Sequence, residues 1–150
     1  MQYDSLSLEN IFEDVRDYYE AAAEERGVKI TCEGKGKIHA DSFMLRLALN
    51  NLVSNALKYT SLNGSILIST KRNTEETCIT ICDTGEGISS DHLSRLFDRF
   101  YRVDSARSLK TGGTGLGLAI VKSIMDLHKG QIHVSSQLGS GTAVILTFPN

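Results

Sequence analysis

Asn51 and Asn55 lie four residues apart in the stretch SFMLRLALNNLVSNALKYT, and Lys58 follows three residues later. At about 100° per residue this spacing puts all three on one face of a helix, opposite an apolar stripe of Leu45, Ala48, Leu49, Leu52, Val53, Ala56 and Leu57. Asparagine is disfavoured inside helices because its amide competes for backbone hydrogen bonds, so two aligned asparagines call for a reason. An ordinary solvated helix face is one. The sharper one is chemical: an amide oxygen can complete the shell of a Mg²⁺ ion whose other ligands are phosphate oxygens and water. A neutral ligand suffices there, because a triphosphate already supplies the negative charge.

Two glycine-bearing segments add to this. Asp83 ends a strand-like run and begins Asp83-Thr84-Gly85-Glu86-Gly87. A carboxylate at a strand end can accept a hydrogen bond from an adenine amino group, while Gly85 and Gly87 let the backbone approach the ring. Guanine would present a carbonyl oxygen there, and leaving a buried acceptor unpaired costs about 1–3 kcal/mol, so ATP is expected over GTP. Taken alone, Asp-x-Gly is also an ordinary turn. Further on, Gly112-Gly113-Thr114-Gly115-Leu116-Gly117-Leu118 runs directly into a helix. Free backbone N–H groups and the helix dipole suit phosphate oxygens, although a glycine cluster can equally be a linker. The run is neither a Walker loop, since GxxxxGK[ST] is absent, nor a dinucleotide fingerprint, since GxGxxG fails here and at Gly85.

Between these segments, about 25 residues from Ile88 to Gly113 carry only one or two apolar helical turns, around Leu93 to Tyr101. Arg95, Arg99, Arg102, Arg107 and Lys110 make this stretch a candidate lid over an anionic ligand, with a solvated insertion as the alternative.

Such residues need a frame. Leu8 to Arg26 reads as an amphipathic helix on Ile11, Val15, Tyr18, Tyr19 and Ala22, stopped before Gly27. VKITCEG and GKIHA look like two short strands around a Gly-rich turn. Asp41 is a good N-cap for the asparagine helix, which runs from Ser42 to about Tyr59. SILISTKR and ETCITICD read as one hairpin; QIHVSS and TAVILTF read as another, with Leu138-Gly139-Ser140-Gly141 near its turn. LGLAIVKSIMDLHKG is a further amphipathic helix, closed by Gly130. The expected class is α+β, with helices stacked on one face of the sheet.

A length of 150 residues and 41% hydrophobic content suit one domain, residues 1–150, with a single core and one active site. A formal charge of -2 gives no general attraction to nucleic acid or anionic membrane. No run of about 18 apolar residues occurs, and MQYDSLSLENIFED is too polar for a signal peptide, so the chain is expected to be soluble. Cys32, Cys78 and Cys82 are odd in number and lack CxxC spacing, which argues against a disulfide framework or zinc site and fits a reducing cytosol. Cys78 and Cys82 would stand roughly 13 Å apart along a strand, too far to share a metal, so packing is the expected role of all three thiols. His39, His92, His128 and His133 are likewise expected to be structural. None is followed by an acidic residue and a Thr/Asn-Pro pair, and the sole proline is Pro149, so no phosphoacceptor motif is present.

Taken in order, LNNLVSNALKYT, ICDTGEGI, LFDRFYRVD and GGTGLGLAIVKSIMDLHKG resemble the N box, first glycine box, F box and second glycine box of sensor histidine kinases. The four motifs cover essentially the whole chain. The resemblance implies the Bergerat-type two-layer α/β sandwich shared with gyrase, mismatch-repair and heat-shock ATPases. That fold has a mixed, mostly antiparallel sheet covered on one face by about three helices, with a long ATP lid. It implies Asn55 as the Mg²⁺ ligand, with Asn51 and Lys58 as phosphate-side contacts, these three forming the catalytic set. Tyr59 would pack near the nucleotide and Asp83 hold the adenine amine. Gly85 and Gly87 would shape the base pocket, and Gly113, Gly115 and Gly117 would hinge the lid and meet the phosphates. Ile88, Thr114 and Leu116 count with the ATP-binding residues. Phe97 and Phe100 match the F-box aromatics that anchor the lid, and Arg102 or Lys110 would reach the γ-phosphate.

In hydrolytic relatives of this superfamily the residue four before the metal-binding asparagine is a glutamate that activates water. Here it is Asn51, and an amide cannot take a proton from water at neutral pH. The resemblance therefore implies slow hydrolysis and transfer of the γ-phosphoryl group to a histidine on a separate dimerisation and phosphoacceptor domain. A cognate response regulator follows as partner, nucleic acid does not, and the parent would be a membrane-bound homodimer with this part in the cytoplasm at an inner membrane. LFDRFYRVDSARS and SIMDLHKG look closest to metal-responsive, copper-type sensor kinases. Two rivals remain: an anti-sigma-type serine kinase on the same fold, and a nucleotide-binding module without catalysis.

Overall fold

The computed structural model of the chain describes residues 1–88 and 117–150. Its elements are, in order, β1 (Tyr3–Ser7), α1 (Leu8–Glu25), β2 (Lys29–Glu33), β3 (Lys37–Asp41), α2 (Ser42–Tyr59), β4 (Ser65–Arg72), β5 (Glu76–Asp83), α3 (Gly117–Leu127), β6 (Gln131–Gln137) and β7 (Gly141–Pro149). The expected lid beyond Ile88, with Phe97, Phe100, Arg102, Lys110, Gly113, Thr114, Gly115 and Leu116, lies outside the described residues.

The apolar stripe of α2 is buried along its whole length, Leu45 to Leu57, which fixes the rotation of that helix. α3 buries Val121, Ile124 and Met125 beside it. Strand alternation sends Ile66 and Ile68 of β4, Ile79 and Ile81 of β5, and Leu146 and Phe148 of β7 into the same cluster. Each such side chain contributes about 1.5–3 kcal/mol when fully removed from water. The five strands run in the order β2-β4-β5-β7-β6. The two hairpins form as expected, Ile68 opposite Ile81 and Val134 opposite Val144. β2 alone is parallel to its neighbour. The α+β class and the layered helix-on-sheet arrangement follow the sequence.

Several local expectations are corrected. The strands on either side of Gly34 and Gly36 do not pair with each other: β2 joins β4 in parallel, while β3 pairs antiparallel with β1 in a separate ribbon. A parallel pair needs a long crossover, and α2 supplies it between β2 and β4. β1 itself carried almost no apolar signal in YDSLS. In α1 the buried positions are Leu8, Ile11, Phe12, Val15 and Ala23, whereas Tyr18 and Ala22 face solvent. Tyr19 is half-buried and its hydroxyl donates to the Asn50 carbonyl at 3.2 Å. The left-handed residue closing α3 is Lys129 (φ 58), not Gly130. Gly130 donates its N–H to Met125 at 2.8 Å, and a side chain there would collide with the Thr147 carbonyl. Cys32 and Cys78 are half-buried, but Cys82 is exposed and does no packing work. His128 is buried, and the exposed His39 meets Tyr3 edge-on; His133 is exposed on β6 and His92 lies outside the described residues.

Asp41 joins the far ends of the two helices that frame the site. One carboxylate oxygen caps α2 by accepting the Met44 N–H at 2.9 Å, and the other accepts the Gln2 N–H at 2.8 Å. The Asp41 N–H in turn donates to His128 Nε2 at 3.1 Å. That bond and the 2.8 Å approach of Nδ1 to the Ile124 carbonyl fix His128 as the Nδ1–H tautomer. Tyr3 stacks on the His128 ring at 5.1 Å and donates its hydroxyl to Leu127.

The Met44 N–H, then the Gln2 N–H, hold the Asp41 carboxyl below the ordinary aspartate range. A depressed carboxyl stabilises the fold above its unfolded pKa of about 3.9, and that contribution is lost as pH falls through the folded value. Asp41→Asn, which keeps the capping oxygen, is therefore expected to lower the urea midpoint at neutral pH and to approach the parent protein as pH falls below the depressed Asp41 pKa. Equal midpoints for the two proteins at neutral pH would remove this role.

Candidate functional site

The rotation of α2 that buries Leu52, Val53 and Ala56 leaves Asn51, Asn55 and Lys58 half-buried on its flank, as their spacing predicts. The first turn of α3 arrives beside two of them. A side-chain carbon built on Gly117 would stand 3.4 Å from Asn55 Nδ2 and 3.9 Å from Asn51 Oδ1, so the glycine leaves a gap between both amides and the start of a helix. Among the described residues, Asn51 Nδ2 is buried without a hydrogen-bond partner. An orphaned buried donor costs about 1–3 kcal/mol, and a half-turn of the Asn51 terminal torsion, which exchanges Nδ2 with the Oδ1 that now faces Gly117, would let that donor meet an anionic oxygen in the gap. Asn55 offers a neutral amide oxygen after a half-turn of its terminal torsion, a donor suited to Mg²⁺ when phosphates carry the charge. The residues present therefore fit a metal–phosphate group.

Asp83 stands at the end of β5, half-buried, and takes the Gly85 N–H at 2.8 Å. Burial raises its pKa above the ordinary value, opposed by the backbone N–H groups of Gly85 and then Thr142. Gly85 lies so close to Tyr59 that an added side-chain carbon would come 2.5 Å from the Tyr59 carbonyl, and Glu86 donates its N–H to that same carbonyl at 3.3 Å. The C-terminal end of α2 and the strand exit are thus one backbone junction. Thr84 ties it to β4 by accepting the Ser65 N–H at 2.9 Å.

By sequence alone, residues 138–141 predict a turn and no more. The structure brings that turn to the site. Gly141 (φ 96) sits against the Asp83 carbonyl, where any side chain would collide. Gly87 (φ 78) sits in the same way against Gln137, and Gly139 donates to the Glu86 carbonyl at 2.8 Å. Ile88 donates its N–H to Ser136 Oγ at 2.8 Å. The Gly-Ser-Gly-Thr run at 139–142 was the available signal. Of the residues expected at the site, Asn51, Asn55, Lys58, Tyr59, Asp83, Gly85, Gly87, Ile88 and Gly117 are described. The amides meet Gly117 at one end, and Tyr59, Asp83, Gly85, Gly87 and Ile88 converge on the other.

An amide pair facing a helix start, with a half-buried carboxylate and close-packed glycines beyond it, defines a nucleotide-binding α+β sandwich. The chain belongs to the Histidine kinase-, DNA gyrase B-, and HSP90-like ATPase family, whose profile matches residues 40–150. It is 44% identical over 137 residues to the sensor protein IrlS of Burkholderia pseudomallei, covering 91% of this chain and 30% of that protein. It is 43% identical over 145 residues to the sensor histidine kinase CusS of Escherichia coli strain K12, covering 96% of this chain and 30% of that one. The chain thus spans about a third of the length of these curated relatives. The crystal structure of full-length ShkA in complex with AMPPNP superposes with a TM-score of 0.87 at 27% identity, covering 99% of this chain and 31% of that one. Among the described residues no helix is long and apolar enough to cross a membrane.

Because its raised pKa reflects a buried charge, ionised Asp83 works against the fold above that pKa, and the cost fades as pH falls and the carboxyl takes its proton. Asp83→Asn should therefore keep or raise the melting temperature at neutral pH. It should also weaken adenine-nucleotide binding roughly ten- to a hundredfold, by setting an amide donor against the base amine. Calorimetry and a thermal melt on the same sample check both; parental affinity in the variant would take Asp83 out of the base pocket.

Proposed function

We propose that residues 1–150 form the catalytic and ATP-binding domain of a sensor histidine kinase, which binds Mg-ATP and donates the γ-phosphoryl group to a histidine on a separate dimerisation domain. The observation that carries this reading is the pair of Asn51 and Asn55 amides against Gly117 of α3, with Asn51 Nδ2 buried and without a hydrogen-bond partner among the described residues. Family membership supports ATP as the nucleotide, and the amide chemistry suits Mg²⁺ as its counter-ion.

Asn55 would hold the metal and Asn51 would donate to a phosphate oxygen, with Lys58, one turn along α2, adding positive charge on the same side. The bound Mg²⁺ would supply charge neutralisation on the transferring phosphoryl group. Asp83 orients the adenine, with Gly85, Gly87 and Ile88 as the wall beside it and Tyr59 at the junction. Gly113, Thr114, Gly115, Leu116, Phe97, Arg102 and Lys110 complete the site in this reading as lid and phosphate contacts.

No carboxylate stands at position 51 to take a proton from water, so the γ-phosphoryl group waits for a better nucleophile. Phosphoryl transfer depends mainly on positioning and charge stabilisation, both of which the site would supply without a base of its own. A response regulator is the onward acceptor, and the parent is a membrane-bound homodimer that presents this domain to the cytoplasm. LFDRFYRVDSARS and SIMDLHKG resemble metal-responsive, copper-type sensor kinases.

Incubation of the chain with labelled ATP and a separately purified histidine-bearing dimerisation domain is expected to label that histidine. Label on a serine of an added regulator would replace this reading with a serine kinase, and nucleotide binding with no transfer would reduce the chain to a binding module. Asn55→Ala is expected to abolish the Mg²⁺ dependence of ATP binding; an unchanged magnesium titration would move the metal to another residue.

A further inference from the structure

We propose that Ser136 is a positioning residue for the base pocket, and that its hydroxyl sets both the path of the chain at Ile88 and the donor direction of Thr142. The inference rests on the nucleotide reading above and concerns the base end of that site.

Ser136 lies near the end of β6 on the same alternation as Ile132 and Val134, the half-buried side of the strand. A third aliphatic residue would satisfy that pattern, and the backbone ladder already pairs Ser136 with Thr142 without help from a side chain. The hydroxyl is therefore surplus to the sheet. All of its capacity is used nonetheless. Oγ donates to the Gly141 carbonyl at 2.9 Å and accepts the Ile88 N–H at 2.8 Å. It also lies 2.8 Å from Thr142 Oγ1. A serine hydroxyl has one proton, and Gly141 takes it, so Thr142 is the donor in the third bond.

Two consequences follow. The segment from Glu86 to Ile88 is pinned at three successive places: Glu86 by the Tyr59 carbonyl and the Gly139 N–H, Gly87 by contact with the Gln137 backbone, and Ile88 by Ser136. The last of these is a side-chain bond, which substitution can remove without altering the backbone. Secondly, Thr142 stands directly opposite Asp83 in the ladder. With its proton committed to Ser136, Thr142 Oγ1 retains only acceptor capacity beside an acceptor carboxylate. Such a surface favours a base edge that presents an amine and disfavours one that presents a carbonyl. Without the Ser136 oxygen, the Thr142 hydroxyl is free to turn and donate to a carbonyl.

The test is calorimetric titration of ADP, adenosine and GDP into the full chain, Ser136→Ala and Ser136→Thr, with a thermal melt of each. Ser136→Ala is expected to bind ADP roughly three- to tenfold more weakly, to lose the same factor for adenosine, and to discriminate less against GDP, while melting within a few degrees of the parent. Ser136→Thr, which keeps the hydroxyl, is expected to recover most of the ADP affinity. Parental ADP affinity in Ser136→Ala, a loss seen with ADP but not adenosine, an unchanged ADP-to-GDP ratio, or a folded Ser136→Thr as weak as Ser136→Ala overturns the role of Ser136. Binding of ADP by the parent chain keeps the nucleotide reading intact in all those cases; if the parent chain itself binds no ADP, both fall.

Discussion

The rotation of α2 is the constraint on which the rest of the structure depends. Seven apolar side chains from Leu45 to Leu57 must face the core together, and a helix cannot satisfy that requirement at more than one angle. Once they do, Asn51 and Asn55 have a fixed direction, and so does the Tyr59 carbonyl at the end of the helix. Hydrophobic burial, which has no chemical specificity, thereby aims groups that do. Summed over the Leu and Val side chains of the stripe, at about 1.5–3 kcal/mol each, the burial energy exceeds what any single polar bond at the site could oppose.

Direction alone would not bring a partner to the amides. α3 does so because its far end is tied to the start of α2: the Asp41 N–H bonds His128 Nε2, and the Asp41 carboxylate caps α2. With that end fixed and Val121, Ile124 and Met125 buried alongside α2, the first residue of α3 falls opposite Asn51 and Asn55. The other end of the site is built differently. It relies on backbone contacts at the Tyr59 carbonyl and the 137–141 turn, where glycine is needed because a side chain would collide with a main-chain atom. One end is thus set by packing and the other by steric exclusion.

This division explains what could be read from the sequence. Packing leaves a periodic trace, so the α2 stripe, the two hairpins and the facing amides were all legible. Asp83 and its glycines were legible too, because a carboxylate at a strand end before a turn is a local pattern. What escaped is non-local. β1 has no apolar alternation, and its pairing with β3 depends on contacts around His128, 87 residues after Asp41 in the chain. β2 and β3 resemble a hairpin locally, yet the sheet takes one and the ribbon the other. In α1 the three- and four-residue spacing points through Tyr18, although Phe12 draws the buried face round to Tyr19 and Ala23. The 139–142 run looked like turn chemistry, and turn chemistry it is; only the folded chain reveals that it abuts Asp83.

The described site also concentrates local arrangements that fold stability alone would not select. Asp83 carries a charge into partial burial, raising its pKa, and Asn51 buries a donor with nothing to bond among the described residues. Ser136 spends a hydroxyl where an aliphatic side chain would complete the strand pattern. Proteins keep such conflicts where function compensates for them. A ligand with an amine at one end and anionic oxygens at the other would relieve the conflicts at Asp83 and Asn51 together. The two lie at opposite ends of one junction, joined through α2 and its terminal carbonyl, so a short fragment could satisfy one end but not both. In the proposed reading, selectivity for an intact adenine nucleotide would follow from that separation as much as from either contact.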